Sequence, residues 1–233
     1  MSRPWPGYIM QVDGASNVPD DVILVQSKLG VWQTGVYGPT TAETVSKYQK
    51  SKGIGQTAQV GEQTWTSLFG EPEPPAGLGV NALSWAMNEA KVPVTEEPLG
   101  SNWGPRVSEY IASVFGPPSP CAWCCCGVYW SFGKEAAGRG VKNPMLQTGS
   151  CSQLYSWARD KGKLVTAPKQ GDIFLCIGGD TGHYHTGFVA ADPVNGYFET
   201  VEFNSNYDGS SNGTMVAHRS PGRSVTSCDY IRL

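Results

Sequence analysis

The sequence predicts an α+β fold in two modules, and three observations predict it. Apolar residues recur at helical spacing through residues 18–69 and again through 81–115. From residue 172 the pattern changes to short apolar runs, DIFLCI, HYHTGFVAA and YFETVEFN, the last two split by DPVNG, which read as antiparallel strands. Between the two helical regions lies GEPEPPAG, residues 70–77, whose three prolines favour a stiff, extended spacer. Helices first and strands after give the α+β class.

In the first module, Val22, Val25, Gln26 and Leu29 fall at i, i+3, i+4 and i+7, with Asp20 and Asp21 placed to cap the start. Thr40 or Thr41 can cap a second helix carrying Val45 and Tyr48, and Gly53 can end it. A third short element, TWTSLF, follows VGEQ. Thr64 and Thr41 each lie three residues after a glycine, Gly61 and Gly38, so the module looks internally half-repeated. The order VxxxQxxL, GxxT, a Tyr-Gln pair and VGxxTW resembles the peptidoglycan-binding domain of many cell-wall hydrolases, over roughly residues 18–70. That resemblance implies a small three-helix domain, residues 1–70 with the lead-in, which holds an enzyme on wall polymer and does no chemistry. The start, RPWPGYIM, is similar to the lead-in of some bacteriophage lysins.

The spacer covers residues 71–79, and the second module runs from 80 to 233. Its first helix is NALSWAMNEAKV, with Ala82, Trp85, Ala86 and Glu89 on one face. In SNWGPRVSEYIASVF, Ser101 or Asn102 is the cap candidate, Pro105 sits in the first turn, and Val107, Tyr110, Ile111 and Val114 form the apolar stripe. CDYIRL reads as a closing strand.

Whole-chain properties narrow the function. The net charge is -3 and no Lys/Arg cluster appears, which argues against a nucleic-acid partner. No apolar run is long enough to span a membrane. MSRPWPGYIMQVDG lacks the apolar core of a secretory signal, so synthesis in the cytoplasm is expected. The seven cysteines are odd in number and none precedes Cys121, which speaks for reduced thiols over a disulfide framework.

AWCCCGVYW, residues 122–130, admits four readings. A zinc site could use Cys121 and Cys124, but no second CxxC completes it unless Cys151, Cys176, Cys228, His183 or His185 is recruited from afar. A thioredoxin-like motif would want a strand where GPPSP stands. Cys125 and Cys126 read as small buried hydrophobes, and Cys121 as loop. Cys124 falls where a proline-rich loop meets an apolar helix. A thiol at a helix start feels the positive end of the dipole, which favours thiolate, and then needs a histidine base with an orienting partner.

Of the three histidines, His218 lies in a polar stretch, and His183 and His185 share one strand face. A tight turn centred on Pro193 and Val194 sets residue 185 opposite 202. Glu202 or Asn204 could then orient the histidine from the next strand. The same two residues, alternating with Val201 and Phe203, also fit an ordinary solvent-facing edge.

Taken together, Trp123-Cys124 with Trp130, Gly171-Asp172-Ile173, His185-Thr186-Gly187-Phe188-Val189 and Val201-Glu202-Phe203-Asn204 are similar to the CHAP family of cysteine-, histidine-dependent amidohydrolases and peptidases. GSNWGPRVSEYI also looks like that family's lead-in. The resemblance implies a papain-like fold, Cys124 as nucleophile, His185 as base, and Glu202 and Asn204 as orienting groups. Two departures from the pattern stand out: Cys125 and Cys126 follow the expected nucleophile, and Gly127 stands where the family is usually bulkier. No acidic DxDxxxG calcium loop is seen, and no cofactor or metal is expected. The expected protein is a monomeric, endolysin-like peptidoglycan hydrolase cutting an amide of the wall, as muramoyl-alanine amidase or endopeptidase. Alternatives are an autolysin, a virion-carried lysin, a non-catalytic wall-binding protein and a metal-stabilised interaction protein.

Overall fold

The computed structural model describes residues 5–70, 77–92, 94–180 and 182–233. The spacer expected at 71–79 and the first residues of the lead-in lie largely outside these. Internal contacts divide the chain into two compact units, with the boundary between residues 73 and 74. Among the described residues are seven α-helices and one six-stranded antiparallel sheet, an α+β architecture.

The N-terminal unit holds α1 (Pro19–Leu29), α2 (Pro39–Ser51) and α3 (Glu62–Phe69). Their caps differ from expectation. Val18 and Gly38 occupy the N-cap positions, with Pro19 and Pro39 opening the helices, and neither position carries a side-chain cap. Proline at N1 brings its fixed φ and loses no intrahelical bond. Asp20 and Asp21 instead sit in the first turn, where the dipole favours them. Thr41 is buried, because a polar network needs it. Gln26 Nε2 donates to Thr34 Oγ1 (3.1 Å), Val36 O (3.0 Å) and Thr41 Oγ1 (3.0 Å), while its Oε1 accepts from Gly35 N–H (3.1 Å). Gln49 does the same with Thr57 (3.2 Å), Gln59 O (2.8 Å), Thr64 (3.0 Å) and Ala58 N–H (3.0 Å). Every position in the second set lies 23 residues after its counterpart (26 to 49, 34 to 57, 41 to 64), so the half-repeat seen in the sequence is a repeated buried hydrogen-bond device. Val22, Val25, Tyr37, Val45, Trp65 and Phe69 pack the core around it.

The C-terminal unit runs α4 (Leu78–Lys91), α5 (Pro105–Phe115), α6 (Cys124–Gly138) and α7 (Cys151–Asp160), then β1 (Leu164–Val165), β2 (Ile173–Ile177), β3 (His183–Val189), β4 (Tyr197–Ser205), β5 (Met215–Ser224) and β6 (Cys228–Ile231). The sheet order is β1-β6-β2-β3-β4-β5. The main core joins Ala82 and Ala86 of α4, Val107, Tyr110, Ile111 and Val114 of α5 and the start of α6 to Ile173, Phe188, Val201 and Phe203. A smaller core of Phe174, Val189, Phe198 and Tyr230 stands apart. Glycine allows the closest approach: a Cβ on Gly79 would meet Gly171 O at 2.6 Å, which lets the start of α4 lie on the entry to β2. Asp172 of the GDI motif accepts two bonds from Arg232 (2.8 and 2.7 Å), tying the chain end to the sheet.

Three elements escaped the sequence reading, among them the two-residue strand β1. CSQLYSWARD is α7, capped by Ser150, whose side chain accepts from Gln153 N–H. MVAHRSPGRS is β5, an edge strand, where its proline is tolerated. The cap of α5 is Gly104 at φ 146°, correcting the expectation of Ser101 or Asn102. The β3–β4 register is also corrected. Gly187, not His185, lies opposite Glu202. The turn falls at Asn195-Gly196, both with positive φ (52° and 81°), as a two-residue Asn-Gly turn demands, and not at Pro193-Val194.

Candidate active site

Cys124 is the first residue of α6, and the sequence pins the helix start from three sides. The Trp123 N–H donates to Asn204 Oδ1 (3.2 Å). The Trp123 indole donates to Glu96 Oε1 (2.9 Å) and stacks on Tyr110 at 5.8 Å. Phe203 of β4 fills the space over Gly127, where an added Cβ would come within 2.1 Å of its ring. That contact explains why a glycine follows the cysteines here. Cys125 and Cys126 are fully buried, as expected for small apolar thiols, and Cys124 is 4% exposed.

His185 is fully buried, and its Nε2 lies 2.9 Å from Glu202 Oε2. Glu202 also accepts from Thr200 (2.8 Å), Ser205 (3.0 Å), Arg219 (3.0 Å) and Arg223 (3.0 and 2.5 Å), so no carboxylate oxygen is left unpaired. His185 Nδ1 has no hydrogen-bond partner. With Nε2 held by Glu202, Nδ1 is the ring nitrogen left without a partner, and the Cys124 thiol and the imidazole act on each other's charge.

The structure therefore separates the two expected orienting groups. Glu202 holds the imidazole. Asn204 does not: at φ 53°, its amide N–H donates to Gly213 O (2.7 Å) and Asn102 Oδ1 (3.2 Å), and its Oδ1 accepts from the Trp123 N–H (3.2 Å). Asn204 supports the start of α6 rather than the histidine, which corrects its expected role. His183 is engaged elsewhere, with Asp229 at 2.8 Å and stacked on Tyr155 at 4.1 Å. His218 meets Glu199 at 3.2 Å.

The electrostatics favour a charge-separated pair. Hydrogen bonds from Cys125 and Cys151, together with the charge of His185, outweigh burial and hold the Cys124 thiol well below its ordinary range. Burial pushes His185 down, but Cys124 and Glu202 outweigh it and push the imidazole up to about 9. Burial pushes Glu202 up, and the hydrogen bonds and charges of His185 and Arg223 overcome it and hold the carboxyl well below the usual carboxylate range. These shifts favour the thiolate form of Cys124, the imidazolium form of His185 and the carboxylate form of Glu202. Sequence reasoning missed Arg219 and Arg223, which β5 supplies, and named Cys151, which opens α7, only as a distant metal-ligand candidate.

The N-terminal unit carries a second candidate site. A cavity of about 410 Å³ is lined by residues that include Gln26, Val31, Trp32, Val36 and Thr40. Trp32 is 87% exposed at this cavity, an unusual place for so large an apolar ring. Residues 20–68 match the family described as "Putative peptidoglycan binding domain". This match makes cell-wall peptidoglycan the supported partner of the N-terminal unit and associates the chain with the cell wall. No curated protein and no solved structure matches the chain. Among the described residues, no helix is long and apolar enough to cross a membrane.

Proposed function

We propose that the C-terminal unit is a cysteine-dependent peptidoglycan hydrolase of the CHAP type, delivered to its substrate by the wall-binding domain, in the manner of a bacteriophage endolysin. The observation that carries this reading is the buried His185–Glu202 pair, with the Cys124 thiol at the start of α6 acting on the same imidazole. A nucleophile, a base and a group that orients the base are the parts a covalent acyl-transfer site needs.

In this reading the Cys124 thiolate attacks an amide carbonyl of the wall peptide. The first-turn N–H groups of α6 have no intrahelical acceptor and face the developing oxyanion. His185 gives its Nδ1 proton to the leaving amine, which frees the thioester. The same nitrogen then takes a proton from water, which attacks the thioester and releases the acid. Glu202, charged throughout, keeps the other proton on Nε2. Trp32 offers a flat apolar face for stacking against wall polymer.

The test is mass spectrometry of fragments released from purified Gram-positive walls. New alanine N-termini with peptide-free glycan mean an amidase. New termini within stem or bridge mean an endopeptidase. Cleavage confined to the sugar chain contradicts the reading.

A further inference from the structure

We propose that Cys124, Cys125 and Cys151 form a binding site for one thiophilic d10 cation, zinc in a cell, and that the bound cation shuts the candidate active site. The consequence for activity rests on the hydrolase reading above; the site itself does not.

The geometry carries it. The sulfurs of Cys125 and Cys151 lie 3.4 Å apart and those of Cys124 and Cys151 3.9 Å apart. All three lie within 4.8 Å of one another. Three sulfurs at tetrahedral vertices around zinc, with bonds of about 2.3 Å, stand roughly 3.8 Å apart. The cluster therefore already has about the span a cation requires. Cys124 is the first residue of α6 and Cys151 the first residue of α7, so two helix N-termini meet at the sulfurs and favour the negative charge that ligation needs. The cluster supplies three sulfurs, which leaves a coordination position for a further donor such as water. Three thiolates are a soft donor set that selects zinc and its heavier relatives over magnesium or calcium. Binding replaces the protons of Cys125 and Cys151 with bonds to the cation and occupies the Cys124 lone pair, so the same sulfur cannot attack a carbonyl.

Cadmium is the probe, added to the reduced, demetallated full chain. The expected result is one cation per chain, three sulfur neighbours by X-ray absorption on the wild type, and a thiolate-to-metal charge-transfer band. Cys151→Ala should weaken binding by at least about a hundredfold, beyond what loss of an outer-shell partner costs. Cys228→Ala, which removes one thiol of the separate Cys176–Cys228 pair (3.8 Å), should leave the affinity unchanged. Two or fewer sulfur neighbours, no stoichiometric binding, or unchanged affinity in Cys151→Ala overturns the site. The sulfur count on the wild type decides even if a variant fails to fold. Wall digestion by the wild type should stop at one equivalent of cadmium and return with a chelator. If digestion persists at one bound equivalent, the inhibitory role fails. If no wall is digested at any cation level while three-sulfur binding stands, the hydrolase reading fails and the site remains.

Discussion

At the scale of single residues, Glu202 does most to define the candidate site. It is fully buried and balances two arginines and one imidazole. Glu202→Gln keeps the shape and removes the charge. It should lower kcat/KM by at least about a hundredfold, because general acid–base help from His185 is lost. It should also destabilise the fold by about 3–5 kcal/mol, the cost of leaving buried partner charges unpaired, read by denaturant unfolding. A positioning role predicts one further sign: the alkaline limb of the pH–activity profile moves to lower pH in the variant. The wild-type profile follows from the same charges. If the charge-separated pair is the working form, activity should fall as pH rises through about 9, where His185 loses its proton. Stability follows the same direction. His185 is raised from 6.5, so its contribution is whole below pH 6.5 and is lost as pH climbs through about 9, which melts across that window will measure. The pairing of His185 with Glu202 was legible in the sequence because both alternate on adjacent strands. The different task of Asn204 was not, because it depends on a positive φ that no spacing rule reveals.

At the scale of elements, the start of α6 and strand β4 interlock through one glycine. In an isolated helix Gly→Ala gains roughly 1 kcal/mol. Gly127→Ala should do the reverse, since its Cβ would fall 2.1 Å from Phe203. Overpacking of this kind costs about 1–3 kcal/mol, and a lowered Tm measures it. An unchanged or raised Tm would mean that Phe203 swings away at no cost. The helices with clear apolar stripes, α1, α2 and α5, were legible from spacing alone. The α7 helix had a signal that went unread: Cys151, Leu154 and Ala158 at i, i+3 and i+7 behind a Ser150 cap. β5 was obscured for a physical reason. Its Pro221 and Gly222 are poor strand formers, tolerated only because the strand is an edge. Losing β5 from the reading also lost Arg219 and Arg223. The register of β3 and β4 was misread by two residues because the Asn195-Gly196 turn, the stronger hairpin signal, was passed over for Pro193-Val194. Side-chain alternation has period two, so a slip of two kept His185 and Glu202 on one face, and the pairing survived the error.

At the scale of the molecule, the sequence divides labour between a unit that holds the wall and a unit proposed to cut it. The first was legible because its repeated Gln–Thr–Thr network fixes polar residues at set spacings in a small core. The second was legible mainly around Trp123-Cys124, and less so where partners arrive from distant strands. If the division is right, binding and cutting separate cleanly. The most direct measurement uses one preparation of Gram-positive walls, the wild type and Cys124→Ala, and two readouts from each tube: protein sedimenting with the wall, and wall fragments released to the supernatant. The account predicts that both proteins sediment alike and that only the wild type releases fragments. Equal release by Cys124→Ala would contradict it, and so would sedimentation without release by both.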